Sequence, residues 1–273
     1  MTTDPELHTL LVRREGGVWH VTLNRPESRN AMSLAMVHEL RGVLADAEAS
    51  GTARVIVLRG AGGHFCSGAD LKDMAAARIK AAEDGGQDRP DPIAAVNAAF
   101  GELCVAYAAT GLALVAVVEG TVMGGGFGLV CVADVVIARQ NTQFRLPEAS
   151  LGVVPAQIGP FLVERLGYAE ARRLAVTGVR LNADAALALH LVHEVHAASA
   201  LDGVLARVLN EILQNAPGAV AATKALIAKA RFVRPADLVV EAALVFSRAA
   251  LGPEGLEGSA AFLQKRKPSW APK

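Results

Sequence analysis

Gly124-Gly125-Gly126, with Phe127 and Gly128 behind them, stand between two apolar segments. Without Cβ atoms such a stretch lets backbone approach a bound group closely. Free N–H groups where a helix begins also attract negative charge. A tight turn or close helix packing would call for the same residues, and the run alone leaves both readings open. It is not a dinucleotide or phosphate loop: the GxGxxG spacing fails at Leu129, and no Lys-Ser or Lys-Thr follows. A second stretch is Phe65-Cys66-Ser67-Gly68-Ala69-Asp70-Leu71. Ser67 lacks the GxSxG surroundings of an activated serine, and no neighbour of Cys66 supplies a base or cation to lower its pKa. The Ser67–Ala69 backbone is the more useful part, because its N–H groups can face the glycine cluster.

Glu148 is the third candidate. It is one carboxylate in Leu146-Pro147-Glu148-Ala149-Ser150-Leu151-Gly152, an otherwise apolar stretch punctuated by Pro and Gly. Burial there would raise its pKa towards the working pH, as a general acid/base requires. An acid at a helix start, interacting with the dipole, is the alternative. His190, His193 and His196 form HxxHxxH, but they fall where a helix end passes into a short strand. Residues three apart on a strand alternate faces, so the pattern predicts no metal site.

The elements that must position these groups are short apolar strands, each leading into a turn. Val18–Leu23 alternates as a half-buried strand and Asn24-Arg25-Pro26 ends it. Apolar residues recur at helical spacing from Asn30 to Ser50. Val55–Leu58, Leu112–Val118 and Val135–Ala138 read as buried strands, followed by the loops that hold Phe65–Leu71, Gly124–Gly126 and Pro147-Glu148. An α/β chain wound in this way gathers its turn ends on one side, where sites form. Between Met74 and Pro92 apolar periodicity disappears, and a solvated surface loop is expected. Beyond Ser199 the pattern predicts successive helices at Ala200–Asn215, Ala219–Phe232, Pro235–Leu251 and Gly255–Lys267.

The 273 residues suffice for one large domain, or for a domain with a helical appendage. With 27 basic and 27 acidic residues the chain has no excess cation field for nucleic acid. The longest apolar runs, Leu112–Val118 and Leu129–Ala138, look too short or interrupted to span a bilayer. The acidic, polar Met1–Glu6 does not resemble a signal peptide. Cys66, Cys104 and Cys131 show no CxxC spacing, so reduced thiols in the cytoplasm are expected.

Taken in order, Leu23-Asn24-Arg25-Pro26 with Asn30-Ala31, Phe65–Leu71, Gly124–Gly126, and Pro147-Glu148 with Leu151-Gly152 resemble the enoyl-CoA hydratase/isomerase, or crotonase, family. The similarity continues through Ala171–Leu174, Thr177-Gly178, Glu257-Gly258 and Phe262–Lys267, and so covers nearly the whole chain. It implies a spiral of ββα repeats over 1–198 and a C-terminal helical region over 199–273 that builds homotrimers, often paired into hexamers. It implies an acyl-CoA thioester substrate, with coenzyme A part of the substrate and no separate cofactor. By position, Ala69 and Gly125 would be the two N–H donors that hold the thioester oxyanion, and Glu148 a catalytic glutamate. Ser67, Gly68, Asp70, Gly124 and Gly128 would surround the acyl group. Arg25, Arg29, the Ala31 backbone, Phe262 and Lys265 would meet the nucleotide part, the last two from a neighbouring subunit.

Gly128 stands where hydratases of the family place a second glutamate. A single glutamate suits an isomerase, which returns one proton to another carbon. Yet Gly128–Cys131 and Val154–Phe161 look like bacterial hydratases of branched glutaconyl-CoA thioesters, which resemble this chain in having glycine there, so hydration is the favoured expectation. The space beside Gly128 would then hold water or a bulky acyl group. A catalytically silent acyl-CoA-binding protein on the same fold is the rival from another class.

Overall fold

Alternation in the first apolar segments builds an antiparallel pair, β1 (Leu10–Glu15) on β2 (Val18–Leu23). From β2 onward the sheet is parallel, through β3 (Val55–Gly60), β4 (Ala113–Val118), β6 (Val135–Arg139) and β9 (Glu194–His196), in the order β1-β2-β3-β4-β6-β9. The remaining strands, β5 (Thr121–Met123), β7 (Gln143–Arg145) and β8 (Leu181–Asn182), form a second, three-stranded sheet beyond the ends of β4 and β6. The computed structural model describes residues 7–83 and 91–272. Met1–Glu6 and the 84–90 part of the expected surface loop lie outside the described residues.

Both faces of the larger sheet are covered, which is why β3 and β4 read as unbroken apolar runs rather than as alternation. Ile56, Leu58, Leu114 and Ala116 point to one side, under Met36, Leu40 and Leu44 of α1 (Leu34–Ala49). Val55, Val57, Val115 and Val117 point to the other, against Leu201, Leu205 and Val208 of α7 (Leu201–Leu213). The helical region expected from 199 therefore begins with a helix that belongs to the core. Within that region α8 (Pro217–Ala230), α9 (Pro235–Leu251) and α10 (Pro253–Leu263) carry large apolar side chains outward, among them Phe246 and Phe262.

Two findings bear on Met74–Pro92 and the segment that follows it. Leu71–Glu83 is a helix, α2, not a loop up to its described end. Asp70 starts it by accepting the Lys72 N–H at 2.9 Å, and strong helix formers such as Ala, Lys and Glu carry it without an apolar stripe. Pro92–Ala109 is a further helix, α3, begun by Asp91, whose Oδ1 accepts from Ile93 and Ala94, with Pro92 in the first turn. By length and composition alone α3 passes the test for a membrane-spanning helix, as core helices of other proteins also do. Here it lies on the core through Leu103, Cys104 and Tyr107, and the Tyr107 hydroxyl donates to the Leu40 carbonyl at 3.0 Å.

Candidate functional site

After β3 the chain turns and comes back as an extended segment, pinned on both sides. Cys66 N–H donates to Thr121 O at 3.0 Å and Met123 N–H to Cys66 O at 2.9 Å. Met32 N–H donates to Gly68 O at 2.7 Å, and Asp70 N–H to Met32 O at 3.0 Å. The last two bonds flank Ala69 as a parallel bridge, so the Ala69 N–H faces the opposite way. It has no acceptor among the described residues. Gly125 opens α4 (Gly125–Val132), where a first-turn N–H lacks an intrahelical acceptor, and it too has none.

Close backbone approach explains the glycines between these two donors. Gly124 has φ 48° and ψ −117°, a conformation L side chains rarely adopt. A Cβ on it would lie 3.2 Å from Gly68 Cα and 3.1 Å from Glu148 Oε1. Gly124→Ala should therefore strain the turn and displace the donor at 125. Loss of one such donor costs about 100- to 1,000-fold in kcat. Steady-state kinetics on a folded variant checks this, and a near-normal rate would contradict the role given to this turn.

Glu148 begins a short 3-10 turn, Glu148–Leu151, after Leu146-Pro147. Its Oε1 faces Gly124, and its Oε2 is buried without a hydrogen-bond partner. Burial holds its carboxyl above the ordinary glutamate range. Ala69, Gly125 and Glu148 line one cavity of about 160 Å³. Its walls are largely apolar, with Met32, Val96, Phe100, Val154 and Ile158 prominent. The other carboxylates on the wall are engaged. Asp70 Oδ2 pairs with Arg25 Nη1 at 2.7 Å, and Asp73 Oδ2 accepts the Leu34 N–H at 2.7 Å. Burial pushes the Asp70 carboxyl upward, but the Lys72 N–H and the Arg25 guanidinium outweigh it and hold it below the usual aspartate range. Gln157 Nε2 donates to Asn97 Oδ1 at 2.9 Å.

Gly128 departs from expectation. It is buried and does not line the cavity. A Cβ there would meet Ile158 Cγ2 at 2.5 Å and the Phe100 ring at 3.2 Å. The space expected to hold water or an acyl group is thus filled by the protein's own side chains.

The remaining candidates divide. Arg25 turns inward, and its Nη1 donates to Ala31 O at 2.7 Å while pairing with Asp70, so it braces the loop and takes up the Ala31 carbonyl. Ser67 Oγ donates to Ser28 O at 2.9 Å and so also braces it. Arg29 is exposed in a left-handed turn, and its side chain has no partner among the described residues. Phe262 and Lys265 stand exposed at the end of α10 and do not line the cavity. Asn30 was not singled out for a structural role, yet it is fully buried and holds this corner together. Its Nδ2 donates to Ala61 O at 2.9 Å and His64 O at 2.7 Å, and its Oδ1 accepts from Arg25 N at 2.8 Å. Its positive φ, which asparagine tolerates better than most residues, is visible only in the structure; the sequence offers only its place beside Arg29 and Ala31.

The thiol of Cys66 is buried and pushed up to about 11, so it is not a thiolate. The histidines separate: His193 Nδ1 accepts the Val136 N–H at 2.9 Å, and His196 Nε2 meets Glu194 Oε2 at 2.8 Å. Among the described residues no group of three His, Cys, Asp or Glu is placed to hold a metal ion. Two unclaimed N–H donors and one unpartnered carboxyl in an apolar cavity can stabilise an oxyanion and exchange a proton at a neighbouring carbon.

A sequence model of the family described as enoyl-CoA hydratase/isomerase matches residues 13–273. Among solved structures, Pseudomonas aeruginosa AtuE is 50% identical with a TM-score of 0.92, over 97% of this chain and all (100%) of that one. An enoyl-CoA hydratase/isomerase from Marinobacter aquaeolei is 46% identical with a TM-score of 0.92, over 97% of this chain and 99% of that one. A short-chain-enoyl-CoA hydratase of Clostridium acetobutylicum is 30% identical over 96% of this chain and 97% of its own length.

Proposed function

The chain belongs to the enoyl-CoA hydratase/isomerase family, and on that premise we propose that it adds water across the double bond of an enoyl-CoA thioester with Glu148 as its one acid/base. The observation that carries this is the Glu148 carboxyl, unpartnered in an apolar cavity and flanked by the Ala69 and Gly125 N–H groups. The thioester oxygen accepts from those two N–H groups. As water oxygen bonds to the β-carbon, the double-bond electrons move through the α-carbon onto the thioester carbonyl oxygen, giving an enolate. Two donors aimed at the developing charge contribute about 3 kcal/mol each. Glu148 takes the proton from the attacking water and returns it to the α-carbon as the enolate collapses. A carboxyl whose pKa is raised towards neutrality exchanges that proton in both directions.

Double-bond migration is the second reading, and one observation favours it. Ile158 and Phe100 occupy the place of a second carboxylate, and an isomerase needs only one. Incubation with a panel of enoyl-CoA thioesters, with product masses measured, separates the readings. Hydration adds one water, migration leaves the mass unchanged, and tight binding without conversion would identify a silent binding protein.

The acyl group of a branched glutaconyl thioester ends in a carboxylate. No Lys or Arg lines the cavity among the described residues, so the Asn97 and Gln157 amides are the groups available to receive one. The exposed Phe246 and Phe262 on the C-terminal helices support assembly into trimers or hexamers. In such an assembly Arg29, whose side chain has no partner among the described residues, and Lys265 from a neighbouring copy would meet the phosphates of coenzyme A. Alanine at either position is expected to weaken binding of a non-reactive CoA thioester about tenfold, with kcat little changed, as for a charge-assisted contact remote from the reacting bond. Wild-type affinity by titration would remove that residue from the site.

A further inference from the structure

The two unclaimed N–H donors belong to separate segments, and something must fix the space between them. Ala69 follows His64 by five residues, and Gly125 follows Thr121 by four. The segments run side by side through a parallel bridge between Cys66 and Val122. In a regular parallel ladder the Thr121 N–H would next donate to the His64 carbonyl. The ladder is broken there: Phe65 N–H takes Glu119 O at 2.9 Å, and the His64 carbonyl accepts from Asn30 Nδ2 at 2.7 Å. The half-buried His64 ring stands in for the carbonyl. Its Nδ1 accepts the Thr121 N–H at 3.2 Å and lies 3.0 Å from Thr121 Oγ1. A backbone N–H can only donate, so Nδ1 is the acceptor and the ring proton belongs on Nε2. The ring reaches this place because residue 120 has no side chain; a Cβ on Gly120 would lie 2.7 Å from Nδ1.

We propose that His64 is a positioning residue of the oxyanion site, its ring clasping the Thr121 N–H so that the Ala69 and Gly125 donors keep the separation one thioester oxygen requires. This rests on the reading of those two N–H groups as the seat of that oxygen. His64 does not line the cavity, so it acts through the backbone on either side. Its carbonyl is held by the Asn30 amide, which also bonds Ala61 O and Arg25 N. Ring and carbonyl of one residue thus join β5 to the Arg25–Asn30 turn. Thr121 is buried, so removal of the ring nitrogen leaves its N–H unsatisfied, and the chain leading to Gly124 must shift to find another partner. A donor moved in this way loses its aim at the developing charge. Misplacement by about 1 Å costs about 100-fold in rate.

The test separates the aim of the donors from binding. His64→Phe keeps a ring and removes the acceptor, whereas His64→Asn offers Oδ1 one bond from Cγ, where Nδ1 stood. Both are compared with wild type for conversion of an enoyl-CoA and for affinity towards butyryl-CoA, a saturated thioester that cannot be hydrated. The third readout is the infrared stretch of bound butyryl-CoA, isotope-labelled at the thioester carbonyl, which donors to its oxygen lower. His64→Phe is expected to lose about 10- to 100-fold in kcat, to bind butyryl-CoA within about threefold of wild type, and to lose most of the frequency drop. His64→Asn should recover both kcat and the drop. A full drop in a folded His64→Phe protein, or a His64→Asn protein that behaves like it, would overturn the clasp and leave the oxyanion site standing. Should His64→Phe fail to fold, His64→Asn decides alone: a wild-type frequency supports the clasp, and a lost drop overturns it. Wild type that binds butyryl-CoA without lowering its carbonyl frequency would remove the oxyanion site itself, and the clasp with it.

Discussion

Glu148→Gln is expected to cut turnover of an enoyl-CoA by about 100- to 10,000-fold while folding and CoA-thioester binding persist. The carboxamide keeps the shape of the side chain and loses the exchangeable proton. Retention of more than a few per cent of the wild-type rate would show that another group moves the proton. The same substitution has a second readout. Burial raises the Glu148 pKa above its unfolded value, so between the two values the folded chain holds a proton that the unfolded chain has released. Stability must then fall as pH rises through that interval, and the loss persists above it. Glutamine has no such loss. The variant should melt above wild type at pH 8, with the gap closing as pH drops below the ordinary glutamate range. Scanning calorimetry at the two ends of the range reads the sign directly.

Gly128→Glu is expected to destabilise the fold by about 3 kcal/mol or more, and not to improve hydration of short enoyl-CoAs. The new side chain begins 2.5 Å from Ile158 Cγ2 and 3.2 Å from the Phe100 ring. It would also place a carboxyl in an apolar contact without a partner. Relief should come from room: Ile158→Ala in the same chain is expected to recover part of the lost stability, because the first collision disappears. Chemical denaturation of the single and double variants gives both numbers. A Gly128→Glu protein as stable as wild type, with faster hydration of crotonyl-CoA, would contradict this account of the pocket wall.

Gly128 also shows where the reading of residue types stopped. The glycine itself was legible, and so was the order of motifs around Ala69, Gly125 and Glu148. What fills the space beside Gly128 was not, because Ile158 and Phe100 arrive there from 30 positions later and 28 positions earlier in the chain. Local pattern carries no information about such meetings. The sheet was readable for the opposite reason: β3 and β4 are apolar on both faces, and a short unbroken Val/Ile/Leu run leaves few alternatives. The α2 and α3 helices were hidden by weak amphipathicity. Among its described side chains α2 buries little beyond Ala77, and α3 is apolar on most sides, so neither shows a 3.6-residue stripe. The resemblance places Arg25 by the nucleotide part of coenzyme A; in the structure its partners are Ala31 O and Asp70.

The central claim is that Ala69 and Gly125 hold an enolate while Glu148 exchanges its α-proton. The most direct measurement separates that step from water addition. A saturated acyl-CoA, such as butyryl-CoA, is incubated in deuterated water, and exchange of its α-hydrogens is followed by mass or by NMR. Wild type is expected to wash deuterium into the α-position, and Glu148→Gln, with the thioester still bound, is expected not to. No exchange by a wild-type protein saturated with the thioester, or equal exchange by wild type and Glu148→Gln, would contradict the account.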